Sequence, residues 1–279
     1  MGIKARRYAD ILAGAPEYVT GRQEEWKAFL ATAARNYKYP YYDQLMIYLQ
    51  RPEATACAEY DFWFDAMHRY VKRGAKGIAL VDNEGDSPRL RYVFDVADTG
   101  ARSNSRPVWL WQMKEEYRNP VMAALERAYG VSGENLSLEA QLEQVAGRLA
   151  ADYWMDYGRQ ISGIVADSFL EEYDEFNIGI AFRKAVQASI VYTLSVRCAE
   201  DTESQFEPED FRDVSDFNTR QTAAALGTAV SSLSGEVFRE IERAIRDYER
   251  TKAQERSQNY EERNNIQAGR GLSSSGDQA

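Results

Sequence analysis

The 279 residues, 44% hydrophobic and carrying eighteen Tyr, eleven Phe and five Trp, have the composition of a folded protein with a sizeable core rather than a disordered one. No apolar run approaches the roughly 20 residues of a membrane span, no signal core follows the cationic start, Arg6 replaces the Ser or Thr of a myristoylation signal, and Cys57 and Cys198 lack metal or redox spacing; a cytoplasmic chain with reduced thiols and no membrane partner is expected. The net charge of −10 is uneven, because residues 1–120 hold 18 Lys and Arg against 16 Asp and Glu and residues 121–279 hold 16 against 28, so the first part is free to carry a local basic surface.

Near the start, Thr20-Gly-Arg-Gln23 reads as a capping box, with the Thr20 hydroxyl accepting at the helix start and Gln23 reaching back. The helix it opens places Trp26, Phe29, Leu30 and Ala33 on one face. Pro40 breaks the pattern. A second helix follows, with Leu45, Met46, Leu49 and Tyr42 inward, and stops before Pro52. A third is expected from Tyr60 to His68, packing Phe62, Trp63 and Met67. The period then changes. Gly77-Ile-Ala-Leu-Val-Asp82 suits a buried strand, residues 83–88 are turn material, and Leu90-Arg-Tyr-Val-Phe-Asp95 alternates, which together give a β-hairpin. Pro107-Val-Trp-Leu-Trp111 is read as a further strand.

From Asn119-Pro120, a good N-cap and first helical position, the chain reads as helical. Leu138, Leu142, Val145 and Leu149 form one stripe, Phe182, Val186, Ile190 and Leu194 a second, and Val237, Ile241, Ile245 and Tyr248 a third. Residues 200–216 form an acidic, aromatic-containing connection. Apolar periodicity ends after about Thr251. The expected architecture is α+β: a small N-terminal α+β domain with a β-hairpin (1–112), an acidic all-α helical domain (113–250) and a disordered tail or linker (251–279).

A single histidine, His68, removes zinc-protease motifs and nearly all His-based relays. No phosphate-loop or dinucleotide motif is present. Asp82, Asp95 and Asp98 fall at strand ends, where two or three acids could hold Mg²⁺, but the companion spacing of a nuclease is missing and Asp98-Thr99 reads as a cap or turn. No catalytic residue, cofactor or metal is expected.

Two stretches interleave rings and cations: Arg35-Asn-Tyr-Lys-Tyr-Pro-Tyr-Tyr42 and Arg69-Tyr-Val-Lys-Arg-Gly-Ala-Lys-Gly77. Single-stranded nucleic acid needs this pairing, since cations follow phosphates and flat rings stack unpaired bases. Tyr37, Tyr39, Tyr41 and Tyr70 are the stacking candidates, and Lys38, Arg69, Lys72, Arg73 and Lys76 the phosphate contacts. About half of these tyrosines are expected in the core.

These stretches also belong to an ordered series. Trp26 with Phe29-Leu30, Tyr39-Pro-Tyr-Tyr-Asp-Gln-Leu-Met-Ile-Tyr-Leu-Gln-Arg-Pro52, Phe62-Trp63, Met67-His-Arg-Tyr-Val-Lys-Arg-Gly-Ala-Lys-Gly-Ile-Ala-Leu80 and Tyr92-Val-Phe-Asp-Val-Ala-Asp-Thr99 resemble the N-terminal domain of ArdC-type antirestriction proteins, over about residues 20–100. The version most similar stands at the front of large proteins of Firmicutes integrative conjugative elements and phages. The resemblance implies a single-stranded-DNA-binding protein of a mobile genetic element, with an antirestriction or DNA-transfer (conjugation) role. The chain departs from ArdC proteins proper, whose C-terminal zinc-metalloprotease domain it cannot form for want of histidines. The alternative reading is a non-enzymatic inhibitor that binds a host defence enzyme through the acidic helical domain; a docking module for a neighbouring helicase is the third.

Overall fold

The computed structural model describes residues 3–82, 87–198 and 206–273, with side chains described to residue 258. Three helices open the chain: α1 (Ile3–Thr20), α2 (Gln23–Arg35) and α3 (Tyr41–Gln50). The strands β1 (Cys57–Glu59), β2 (Tyr70–Val71), β3 (Ile78–Asp82), β4 (Arg89–Asp95) and β5 (Thr99–Gly100) follow, with a π-helical segment at Phe62–Ala66. Four long helices complete the fold: α4 (Glu115–Tyr129), α5 (Leu138–Ser162), α6 (Glu175–Cys198) and α7 (Arg220–Ser273), with a 3₁₀ helix at Pro208–Asp216 before the last. The α+β class, with a hairpin first and helices after, is as expected. No helix among the described residues is long and apolar enough to cross a membrane.

The hairpin is antiparallel, with Ile78 opposite Val93 and Asp82 opposite Arg89. β1 joins its other side, Cys57 facing Asp95, in the order β1-β4-β3. Ile78, Leu80 and Val93 are buried on one face, and α3 packs on β3. That face follows from the strand period of two. The expected turn at residues 83–88 lies largely outside the described residues.

The three apolar stripes close the helical layer. Phe182, Val186, Ile190 and Leu194 are completely buried on α6, which packs against α2, α5, α7 and the 3₁₀ helix. At about 1.5–3 kcal/mol for each large apolar side chain buried, this stripe is a major part of what holds the helices together. Trp26 of α2 is also fully buried, and its indole N–H donates to Ser189 Oγ on α6 at 2.9 Å. Helices from before and after residue 112 therefore share one core.

Several local expectations give way to tertiary structure. The helix α1 was not anticipated, and it runs through Thr20, so the expected capping box does not form. The Thr20 hydroxyl donates to Pro16 O, Gln23 donates to Pro208 O, and Arg22 holds the N-cap position without a side-chain bond. Helix α4 begins at Glu115, five residues before Pro120. Residues 107–114 form no strand; Trp109 and Trp111 instead pack their rings onto the core. The backbone of α7 continues as helix to Ser273, beyond the end of the apolar periodicity, and residues 251–258 are exposed along it.

Candidate nucleic-acid interface

The cationic half of the predicted surface is built by a short strand pair and a turn. β2 pairs with β5, Tyr70 facing Gly100 and Val71 facing Thr99. After Val71 the chain turns: Ala75 N–H donates to Lys72 O at 3.1 Å, and Gly74 has φ of +86°. That conformation is strained for any residue with a Cβ, so the Gly in Lys-Arg-Gly-Ala is what allows the turn to project Arg73. Arg73 and Lys76 are exposed and have no ion pair or side-chain hydrogen bond among the described residues. Lys72 is exposed and donates to Ala97 O at 2.9 Å. Arg69 is half-buried, its Nε donating to Thr99 Oγ1 at 2.8 Å.

The acids behind this turn are already committed. Asp95 is buried and accepts N–H bonds from Thr55 at 2.6 Å, Ala56 at 3.0 Å and Ala97 at 2.9 Å. Asp98 pairs with Arg51. The strand-end carboxylates thus cap backbone and bind arginine, and among the described residues no group of three or more His, Cys, Asp and Glu could hold a metal ion.

The three predicted stacking rings of the first stretch, Tyr37, Tyr39 and Tyr41, are not available. Tyr37 and Tyr41 are buried, 5% and 3% exposed. Tyr37 donates to Glu242 on α7, accepts from the Trp111 indole at 3.2 Å and packs on Phe238 at 5.0 Å between centroids. Tyr39 is half-buried and donates to Cys57 O at 2.8 Å. Burial raises the hydroxyl pKa of all three tyrosines above the ordinary value. Lys38 is exposed but bound to Glu242 at 2.9 Å. Of the predicted stacking residues only Tyr70 is on the surface, and Tyr42, expected inward, faces solvent while Tyr41 takes the core position.

Other rings accompany Tyr70. Tyr60, Phe62, Phe64 and Tyr70 are 48%, 49%, 41% and 42% exposed. Tyr60 and Phe64 lie nearly parallel, 10° apart with centroids at 6.0 Å. The Arg102 guanidinium carbon stands 5.3 Å from the Phe64 centroid and 5.8 Å from that of Tyr70, within the reach of a cation–π contact. Ser105 fixes this arrangement: its hydroxyl donates to His68 O and accepts from Arg102 N–H, both at 2.7 Å, while Arg106 N–H donates to Met67 O at 3.0 Å. The result is a surface layer of Tyr60, Phe64, Arg102 and Tyr70 that leads along β2 into the cationic turn. Asp61 and Asp65 are exposed on the same segment.

The sequence carried a signal for these rings. Phe62-Trp-Phe64 are three consecutive large side chains on a helical segment, and at about 100° per residue they cannot share one core face. Trp63 goes inward, donating its indole N–H to Phe94 O at 2.9 Å. Phe62 and Phe64 are left outside, and Tyr60, four residues before Phe64, shares its face. No protein-family model, curated protein or solved structure matches the chain.

Proposed function

We propose that the chain binds single-stranded DNA across the Tyr60–Phe64–Arg102–Tyr70 layer and the Lys72–Lys76 turn, as a cytoplasmic, non-enzymatic protein of a mobile element acting in antirestriction or DNA transfer. The observation that carries this reading is the adjacency of half-exposed rings and unpaired cations on one surface strip. Each stacked base contributes about 1–3 kcal/mol whatever its identity, and Arg73, Lys76 and Lys72 would track the phosphates. The likeness of residues 20–100 to the ArdC-type N-terminal domain supports the same ligand.

The test is anisotropy of labelled oligonucleotides in single- and double-stranded form. Preference for the single strand, weakening with salt, is the expected result. Equal affinity for both forms would remove the role of the rings, because stacked duplex bases offer no free faces.

A second reading, the inhibitor of a host defence enzyme, draws on the cleft between α5, α6 and the 3₁₀ helix, where Glu139, Glu143, Glu209, Asp210 and Asp213 gather with Lys184. A pull-down from host extract with and without nuclease separates the two, since a partner retained after nuclease treatment is not bridged by DNA.

A further inference from the structure

Two half-buried arginines line one cleft without a carboxylate bound to either. Arg35 ends α2; its Nε donates to Ala54 O at 3.0 Å and its Nη2 to Thr32 Oγ1 at 3.2 Å and to Pro52 O. Arg197 stands in the last turn of α6. Its Nη1 donates to Ala34 O at 3.2 Å and its Nη2 to Trp111 O at 2.8 Å, with the guanidinium carbon 3.8 Å from the Trp111 ring centroid. Carbonyls and a hydroxyl satisfy part of the Arg35 fork, and carbonyls and a ring part of the Arg197 fork, but neither charge meets an opposite one. Burial lowers both pKa values, and the charge of Arg35 adds to the effect on Arg197.

The acids within electrostatic reach are committed elsewhere. Asp95, which acts on Arg35 together with the exposed Glu53, already holds three backbone N–H groups. Glu242, which acts on Arg197, is shared by Tyr37, Lys38 and Arg246. Arg35 Nη1 and Arg197 Nε have no acceptor among the described residues.

Arg35 and Arg197 both line one cleft of about 330 Å³, together with Lys114, Arg118 and Glu115. Glu115 is 2.8 Å from Arg118 Nε, and Arg118 also binds Glu139 at 3.0 Å, so that arginine is neutralised. The cleft is at the lower end of the roughly 300–1,000 Å³ typical of small-ligand sites. Two like charges held together in a part-desolvated place repel unless an anion joins them, and the planar fork of arginine matches phosphate oxygens in pairs.

We propose that this cleft binds a phosphate group, held between Arg35 and Arg197, with Lys114, which lies 3.9 Å from Glu116 and donates to the Tyr117 hydroxyl at 3.1 Å, as a third cation at its edge. The phosphate has two sources, a free phosphate or nucleotide and the 5′-terminal phosphate of a strand. The inference stands apart from the proposed strand-binding surface and does not need it.

Calorimetric titration of the full chain with inorganic phosphate tests it, with acetate as the control anion. Saturable phosphate binding is expected, weakened about tenfold in R197K, which keeps the charge and loses the fork. The K72A/R73A/K76A variant should bind phosphate as the wild type does. On that background a 5′-phosphorylated oligonucleotide binding more tightly than its 5′-hydroxyl form identifies a strand end as the source; equal binding of the two, with phosphate still bound, identifies the free anion. No saturable phosphate binding by the wild type at millimolar concentration overturns the proposal, as does equal affinity in R197K. If R197K does not fold, K114A decides by the same titration, since its side chain is exposed: reduced phosphate affinity supports the site and unchanged affinity overturns it.

Discussion

Replacing Lys72, Arg73 and Lys76 together by Ala separates charge from stacking in the proposed strand binding. All three side chains are exposed, and the side-chain hydrogen bond removed is that of Lys72 to Ala97 O at 2.9 Å, so the fold should change by less than about 0.5 kcal/mol. For single strands, each phosphate neutralised adds about −0.7 to the slope of log affinity against log salt. Without three cations to neutralise phosphates, the slope becomes shallower by about 2. Between 50 and 200 mM salt, a fourfold change, that is about a twentyfold smaller fall in affinity than the wild type shows. Removing a ring acts otherwise. Phe64→Ala should cost about 1–3 kcal/mol, or roughly 5- to 150-fold in affinity, with the salt slope unchanged. Anisotropy of a fluorescein-labelled single strand over several salt concentrations reads slope and affinity separately. A wild-type slope in the triple variant would falsify the assignment of the turn, and wild-type affinity in Phe64→Ala would dismiss the ring layer.

Other expectations concern the frame that holds this surface. Gly227→Ala on α7 would place a Cβ 2.2 Å from the Tyr41 ring, an overpacking expected to cost about 1–3 kcal/mol; an unchanged urea midpoint contradicts that seam. Glu242 is opposed by burial, but hydrogen bonds from Tyr37 and Lys38 outweigh it and hold the carboxyl below its ordinary 4.5. Its contribution to stability is therefore complete above pH 4.5 and lost as pH falls from there through the folded-state value. Urea unfolding at a series of pH values should show the advantage of the wild type over Glu242→Gln shrinking over that acidic window, and a constant difference refutes the account. Burial pushes the thiols of the half-buried Cys57 and the buried Cys198 up to about 12, so at pH 8 both should react with a disulfide reagent faster in urea than in the native protein; native labelling of Cys198 as fast as in urea would contradict its burial.

The helices and the hairpin were legible because their signals are local or periodic. A stripe such as Phe182, Val186, Ile190 and Leu194 needs only the α-helical repeat to declare its buried face, and the short apolar run Ile78-Ala-Leu-Val81, buried throughout, declares a strand covered on both faces. Caps and boundaries were less legible. Thr20 and Gln23 satisfy the capping-box pattern, yet both turn to partners in residues 208–217, Gln23 to Pro208 O and Thr20 to Phe217 O as well as Pro16 O. Pro120 looks like a helix start, yet Glu115 and Glu116 already lie in the first turn of α4, where acidic side chains favour the helix dipole. The single core is invisible for a related reason: stripes disclose that α2 and α6 each have an inner face, but not that Trp26 of one donates to Ser189 of the other.

The candidate site divides along the same line, and the division explains which rings remain outside. The turn at Lys72–Ala75 is encoded within four residues, since a glycine at the position of positive φ suffices to set it and its cations stay solvated unless an acid is brought to them. Whether a tyrosine is exposed depends on distant chain. Tyr37 is sealed by Glu242 and Phe238, and Tyr41 by Gly227, all on α7; without that helix the first stretch would look as suited to stacking as the second. The segment from Tyr60 to Tyr70 bonds instead to strands and loop: Trp63 to Phe94 O on β4, Arg69 to Thr99 on β5, and His68 and Met67 to the 100–106 chain. Trp63 is buried among these short elements and its neighbouring rings are left on the surface. Tyr70 in turn lies across Gly100, where a Cβ would stand 2.3 Å from its ring. A residue without a side chain opposite an exposed tyrosine lets the ring lie close to the sheet, with the Arg102 guanidinium carbon 5.8 Å from its centroid.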